Sequence, residues 1–334
     1  MNERFKLYKH LMNGFSYMLP FVVAGGLLIA FSSLEILGDS FPYLSEVGVL
    51  VLTFTYPVLA GFIAFSIADR PAIAPGVTAG ALALAAGSGF IGAIIGGFMA
   101  GYVVEMLKWV FKKLPKSINS MKPILIYPFL GVLIVMLIML GVNFLIAPIS
   151  LWLENEIVNL SGLPLLLTAM ILGALMAIDM GGPINKIAYM IGVISVVHGH
   201  QSVIMASIMA AGMIPPLAIA LSVTLFKKDY TEMEKRIGLN NWVSGLSFIS
   251  EGAIPFVKTY RKRIHIPLIL GSILAAMIVT LFETSVPAPH GGIFVVALMS
   301  HWWGFVIAIL SGMLLATLVM KVMKMIGDQP HETT

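Results

Sequence analysis

Phe248-Ile-Ser-Glu-Gly-Ala-Ile-Pro-Phe256 holds a single carboxylate, Glu251, in a run that is otherwise apolar and hydroxyl-bearing. A carboxylate at membrane depth is costly and usually marks a binding or transport site. Gly252 and Pro255 weaken the helix beside it and free backbone groups, which such depth tolerates only inside protein or along a wet cavity. Both flanks are basic: Lys227, Lys228, Lys235 and Arg236 precede the stretch, and Lys258, Arg261, Lys262 and Arg263 follow it. If both clusters face the same side, the segment enters and leaves there. The expectation is a re-entrant hairpin carrying a buried acid.

The rest of the chain has a membrane composition. It is 59% hydrophobic and only 11% charged, against roughly 25% charged in soluble domains. Apolar runs near the ~20 residues needed to span hydrocarbon recur throughout. There is no cysteine, hence no disulfide, thiolate metal site or cysteine nucleophile on this chain. His, Asp and Glu are not clustered at metal-ligand spacing, and His198 with His200 makes only a weak pair. No metal or other cofactor is expected. The net charge of +4 fits a topology bias and not nucleic-acid binding. Met1 to Gly14 lacks the pattern of a cleavable signal. It reads as an amphipathic helix in the interface, with Phe5, Tyr8, Leu11, Met12 and Phe15 on one face.

Eighteen of the twenty Lys and Arg fall in five groups, at 4–9, 108–122, 227–236, 258–263 and 321–324. The positive-inside rule places all five in the cytoplasm. Spans follow at about Phe15–Leu37, Val47–Ile67, a Gly/Ala-rich run to Gly87, Gly89–Leu107 and Pro123–Ala147. Acidic loops with Glu35, Asp39 and Glu46, and with Glu154 and Glu156, suit the outer side. Gly92, Gly96, Gly97 and Gly101 predict close helix packing. The acidic stretch 148–162 divides two halves, 1–150 and 151–326, ahead of a disordered tail at 327–334. The second half holds Leu163–Ile178, a break at Asp179-Met-Gly-Gly-Pro-Ile-Asn-Lys186, then Ile187–Val197, Gln201–Phe226, Ile264–Phe282 and Trp302–Met323. Val286-Pro-Ala-Pro-His-Gly-Gly-Ile-Phe294 is too broken for a plain helix and too apolar for a plain loop, so it reads as a second hairpin. The expected fold is an all-α polytopic membrane protein with about ten transmembrane helices, two re-entrant hairpins and both termini cytoplasmic.

Arg70 and Lys186 lie outside the basic clusters, each near an acid in a Gly/Pro-broken segment. One reading is an internal ion pair, Asp69 with Arg70 and Asp179 with Lys186, that holds a broken helix together. The other is solute binding by freed amides and charged groups. Asn185 and Lys186 favour binding, and Asp69 and Arg70 favour structure. His290, between Pro289 and two glycines, is suited to hydrogen-bond a hydroxyl or take its proton. Glu251, flanked by Ser250 and Gly252, can accept hydrogen bonds from two vicinal hydroxyls, as sugar recognition requires. His198, His200 and His301 read as interfacial, Trp302 and Trp303 as belt anchors, and the 22 methionines as apolar filler.

Taken together, Ala68-Asp-Arg-Pro71 with Ala74-Pro-Gly76, the Asp179–Lys186 break, the Phe248–Phe256 stretch and Pro287-Ala-Pro-His-Gly-Gly-Ile-Phe294 resemble the membrane component, enzyme IIC, of the fructose-type sugar phosphotransferase system. The family usually shows Thr where Ser250 stands, so the hydroxyl is kept. The resemblance implies a homodimer in the bacterial inner membrane, with an N-terminal scaffold half and a mobile C-terminal sugar-binding half. It implies that fructose or a related sugar is phosphorylated as it reaches the cytoplasm. The donor would be a phosphocysteine on the IIB component. Without a cysteine here, that IIB is expected to be a separate protein docking at the cytoplasmic face, on the basic loops. Sugar would bind between the two hairpins, with Glu251, His290, Asn185, Lys186, Asp179, Ser250 and Gly252 around it and Glu251 or His290 as base. The rivals are an ion-coupled secondary transporter with Glu251 as its proton site, and a sensor or channel on the same fold.

Overall fold

The computed structural model describes residues 3–32, 41, 43–113, 115, 119–196 and 201–327. Outside them lie Glu35 and Asp39 of the acidic loop, the His198–His200 pair and the tail beyond Gly327. Among the described residues the chain is helical throughout, and its only strand-like pairings are two isolated bridges, Ser202 with Val286 and Ser285 with Ser300. Seven helices among the described residues are long and apolar enough to cross a membrane: Lys6–Ser32, Leu44–Ala68, Gly89–Lys113, Lys122–Val158, Val203–Leu225, Lys262–Leu281 and Trp302–Met325. The remaining apolar segments are shorter because Gly and Pro interrupt them, as at 69–72 and 179–182. This is a polytopic membrane protein.

Of the described residues, those up to Ile157 form one compact unit and those from Val158 a second. The first contains α1 (Glu3–Ser32), α2 (Leu44–Thr53), α3 (Thr55–Ala68), α4 (Ile73–Ala85), α5 (Gly89–Val110) and α6 (Tyr127–Val158). The amphipathic start is not a separate interfacial helix. It runs without a break into α1, because Phe15 is buried, His10 Nδ1 lies 2.8 Å from Ser66 Oγ, and Asn13 donates to the Phe62 carbonyl at 2.8 Å. The glycines of α5 do allow close packing. A Cβ on Gly97 would stand 2.8 Å from the Ala60 carbonyl, and one on Gly101 2.7 Å from Ile67, so α5 lies nearly backbone to backbone on α3. Asp69 is not paired with Arg70. Its carboxylate lies 3.9 Å from Lys108 Nζ and is 85% exposed, which makes a weak surface contact. The acidic stretch after Ala147 is helix, since α6 continues through Pro148 to Val158.

The second unit contains α7 (Gly162–Ile178), α8 (Pro183–Val196), α9 (Val203–Leu225), α10 (Glu232–Leu246), α11 (Ile254–Tyr260), α12 (Lys262–Leu281) and α13 (Trp302–Gly327). Helix α9 is its axis: nearly all of it is buried, packed by α7, α8, α10, α12 and α13. Hydroxyls fix its neighbours where lipid offers no competing partner. Ser207 and Thr280 are 3.1 Å apart, Ser272 donates to the Ala211 carbonyl at 2.9 Å, and Thr317 to the Ala218 carbonyl at 3.1 Å.

Candidate functional site

The site is built from three chain breaks, the first of which opens the helix that the other two approach. At the first, α7 stops at Ile178 and α8 starts at Pro183. Asp179 bridges the gap: its Oδ2 accepts the N–H of Ile184 and its Oδ1 that of Asn185, both at 2.8 Å. These are orphan donors of the α8 N-terminus, so the carboxylate caps a helix. Asn185 is buried and donates its side-chain amide to the Met176 carbonyl at 2.6 Å, tying α8 back to α7. Lys186, 6% exposed, is the buried charge of this region, and both Glu251 and Asp179 act on it electrostatically.

The second break follows α10. Its N-terminus is fixed by a capping box in which Thr231 and Glu234 exchange hydrogen bonds. After Leu246 the chain turns over 247–250, makes a 3-10 turn at Glu251–Ala253 and returns as α11. The Tyr230 and Tyr260 rings, just before α10 and at the end of α11, lie 6.2 Å apart. The segment therefore leaves and returns at one end of the unit.

Glu251 itself is exposed, not buried as expected. The tight turn at 247–250 carries it to the open side of the tip, where its side chain lies against Gly181. Gly181 has φ +93, and a Cβ there would meet Glu251 Oε1 at 2.6 Å. Only glycine allows both that backbone and that approach. Behind the acid, Asn241 is 2% exposed and donates to the Gly252 carbonyl at 3.0 Å, while its Oδ1 fills the space a Gly252 Cβ would need. Gly252 thus serves close packing within the tip. Ser250 is buried next to Glu251.

The Pro287–Phe294 segment approaches the same tip. It is tied at its base by the Ser202–Val286 backbone pair, at 3.0 and 3.1 Å, and by Ser285 donating to Gln201 at 2.9 Å. A Cβ on Gly292 would collide with the Leu246 carbonyl and lie 3.0 Å from the Phe248 nitrogen. His290 packs on Phe248 with ring centroids 5.0 Å apart and meets Tyr189 edge-on at 6.1 Å. Tyr189 and Phe248 are themselves 5.9 Å apart.

Two halves result. One is charged, with Glu251 on Gly181 and Lys186 behind. The other is aromatic, with His290, Phe248 and Tyr189. They are joined by α8, on which Lys186 and Tyr189 stand one turn apart, and by the three-residue step from Phe248 to Glu251. Tyr189 is 4% exposed and its hydroxyl has no hydrogen-bond partner, a cost of about 1–3 kcal/mol unless something fills that role. Sequence reading passed over Tyr189 and Asn241. The first was findable as the residue one turn beyond Lys186; the second, eleven residues from the glycine it clamps, leaves no local signal. Among the described residues no group of His, Asp and Glu is placed to hold a metal.

Such an arrangement can accept hydrogen bonds from adjacent hydroxyls at Glu251, offer a cation in Lys186, and line an apolar wall with a titratable ring. The family profile described as "Phosphotransferase system, EIIC" matches residues 12–272. The fructose-specific EIIABC component of Bacillus subtilis (strain 168) is 40% identical over 329 residues, which are 95% of this chain and 52% of that protein. The fructose permease IIC component of Bacillus amyloliquefaciens is 40% identical over 268 residues, 80% of this chain and 88% of that one. The fructose-like permease IIC component 2 of Escherichia coli (strain K12) is 32% identical over 351 aligned residues, 100% of this chain and 96% of that one. The chain spans about half the length of the Bacillus subtilis relative.

Proposed function

This chain belongs to the phosphotransferase-system EIIC family, and on that premise we propose that it is the membrane sugar permease of a fructose-type phosphotransferase system, carrying fructose or a related sugar and releasing it phosphorylated. The observation that carries the reading is the exposed Glu251 carboxylate on the tip of a segment that re-enters its own end of the unit, beside buried Lys186 and the His290–Tyr189–Phe248 wall. Relatives named for fructose support the substrate class. A relative whose name joins A, B and C components supports a IIB partner.

In the proposed cycle, sugar hydroxyls donate to Glu251, and Lys186 and His290 contact the other hydroxyls. Asp179, Asn185, Ser250 and Gly252 hold the shape of the cradle. The first unit is the scaffold and dimerisation half, and the second is the half that moves with bound sugar. In the transfer step a terminal sugar hydroxyl attacks the phosphorus of a phosphocysteine on IIB. The new O–P bond replaces the S–P bond, the thiolate leaves with its electron pair, and the hydroxyl proton passes to Glu251 or His290. The added charge then lowers affinity beside an acidic site and prevents return. The basic loops Lys227–Arg236 and Lys258–Arg263 receive the partner at the cytoplasmic face of the bacterial inner membrane.

The test is uptake of labelled fructose into vesicles containing this protein, with and without phosphorylated IIB. Label accumulating as a phosphate ester only with the phosphorylated partner is the expected result. Free sugar accumulating on a proton gradient without the partner would replace this reading with ion-coupled transport. Charge reversal in the two basic loops is expected to slow phosphorylation; unchanged rates would remove them as the docking surface.

A further inference from the structure

At its basic end the second unit has another recess, at the base of the hairpin whose tip carries Glu251. A cleft of about 240 Å³ is lined by the cations Lys228, Arg263, Lys321 and Lys324 with Asp229 and Tyr260. Three places in the chain converge there: the loop before α10, the junction of α11 with α12, and the last turns of α13. Lys321 donates to Asp229 at 2.7 Å. Lys324 Nζ stands 3.5 Å from the Tyr230 ring centre and 4.0 Å from that of Tyr260, so aromatic faces seat a cation at the back of the cleft. The other carboxylate acting there is Glu234, which accepts from Thr231 and Tyr260 and acts on Lys324. Among the described residues, four cations against Asp229 and Glu234 leave the recess positive.

A second observation concerns α13. Leu310, Leu314, Leu318 and Val322 are all exposed on one face at helical spacing, and the stripe runs on to exposed Met325, which borders the cleft. The apolar span of α13 ends at that residue. The stripe thus runs along the apolar span and leads into a cationic recess where that span ends.

We propose that this recess and stripe bind one anionic phospholipid, with its phosphate headgroup among Lys228, Arg263 and Lys321 and an acyl chain along α13. A free phosphate would use the charges and leave the stripe idle. Lys228 and Arg263 also lie in the loops proposed to receive IIB, but a soluble partner has no use for an apolar stripe along a membrane span. These two cations are therefore assigned to the lipid, and the remaining basic residues of those loops to IIB. The inference requires only that the chain is a membrane protein; its test contains neither sugar nor IIB, so it stands or falls apart from the transport reading.

The experiment titrates the full-length protein, in zwitterionic detergent, with phosphatidylglycerol or phosphatidylcholine and counts bound lipid by native mass spectrometry. Phosphatidylglycerol is expected to bind preferentially. Lys228→Gln with Arg263→Gln, both at exposed positions, is expected to weaken it about 25-fold, at about fivefold per cation removed. Lys112→Gln with Lys113→Gln, equally exposed in the first unit, should change nothing. Leu318→Ser with Val322→Ser should weaken phosphatidylglycerol as well. Equal binding of the two lipids, or an unchanged preference in the Lys228/Arg263 variant, overturns the proposal. So does displacement of the lipid by millimolar inorganic phosphate with no effect of the stripe variants, which would make the recess a free-anion site.

Discussion

Tyr189 separates a ligand contact from a packing residue more cleanly than Glu251 does. Its hydroxyl is buried and unpartnered, so Tyr189→Phe removes a penalty and should leave the fold as stable or up to about 3 kcal/mol more stable. If the hydroxyl is completed by bound sugar, the same change weakens sugar binding about tenfold. Thermal unfolding beside equilibrium sugar binding reads both, and unchanged affinity would exclude the hydroxyl from the site. Glu251→Gln keeps shape and removes charge and basicity; with Glu251 as a catalytic base, phosphotransfer should fall by about 10²–10⁴-fold while the protein folds normally. At this scale the sequence was partly legible. The Gly-Gly-Pro break, the lone acid and the histidine between proline and glycines were visible because their local patterns are rare at membrane depth. Capping by Asp179 and the Asn185–Met176 link were not visible, because a carboxylate or amide that serves backbone and one that serves a ligand look alike in a sequence. Exposure of Glu251 depends on how a four-residue turn tips, and no periodicity encodes that.

Among the elements, the contact between the two broken segments is where a small change should propagate furthest. Gly292→Ala puts a side chain at φ +55 against the Leu246 carbonyl, at about 1–2 kcal/mol for the backbone alone and more for the collision. Sugar binding and melting temperature should fall together. Gly141→Ala on α6 is the contrast: a Cβ there meets nothing within 4 Å, so it should be neutral or stabilising by up to about 1 kcal/mol. A drop for Gly141→Ala equal to that for Gly292→Ala would refute the idea that these hairpins are latched at Gly292.

The base of the first hairpin carries its own titration. Burial pushes the Tyr230 hydroxyl from its ordinary 10.0 to about 12, with Asp229 and Glu234 adding to the rise and the Ser222 hydrogen bond opposing it. Because the folded value lies above the unfolded one, this stability is whole below pH 10 and lost as pH rises toward 12. Glu234 runs the other way. Burial raises it, but hydrogen bonds from Thr231 and Tyr260 outweigh burial and hold it low, so its contribution is present above the ordinary carboxylate range and lost in acid. Melting temperature against pH should therefore fall at both ends, and Tyr230→Phe should flatten only the alkaline limb. The helices were well legible from apolar length, as α7 and α9 show. Less legible were the joins: composition cannot tell a helix that carries its proline, as α6 does at Pro148, from one that stops.

For the whole molecule, the absence of cysteine permits a direct test of how the chain sits in its membrane. The positive-inside rule predicts the basic groups inside and the acidic segments outside, and no packing contact within either unit can decide it, because a helix bundle inverted in the bilayer keeps every contact. Single cysteines at exposed Lys112, Lys258 or Lys262 should react with an impermeant maleimide only after the cytoplasmic face is opened. Cysteines at exposed Glu156 and Glu283 should react in intact cells. The contrast is sharpest for the Glu251 hairpin: residues before α10 and after α11 must label from the same side, since Tyr230 and Tyr260 meet. Labelling of Lys258→Cys in intact cells would put the hairpin base outside, where no cytoplasmic phosphate donor reaches it. Group translocation would then fail as a mechanism even if sugar still bound at Glu251.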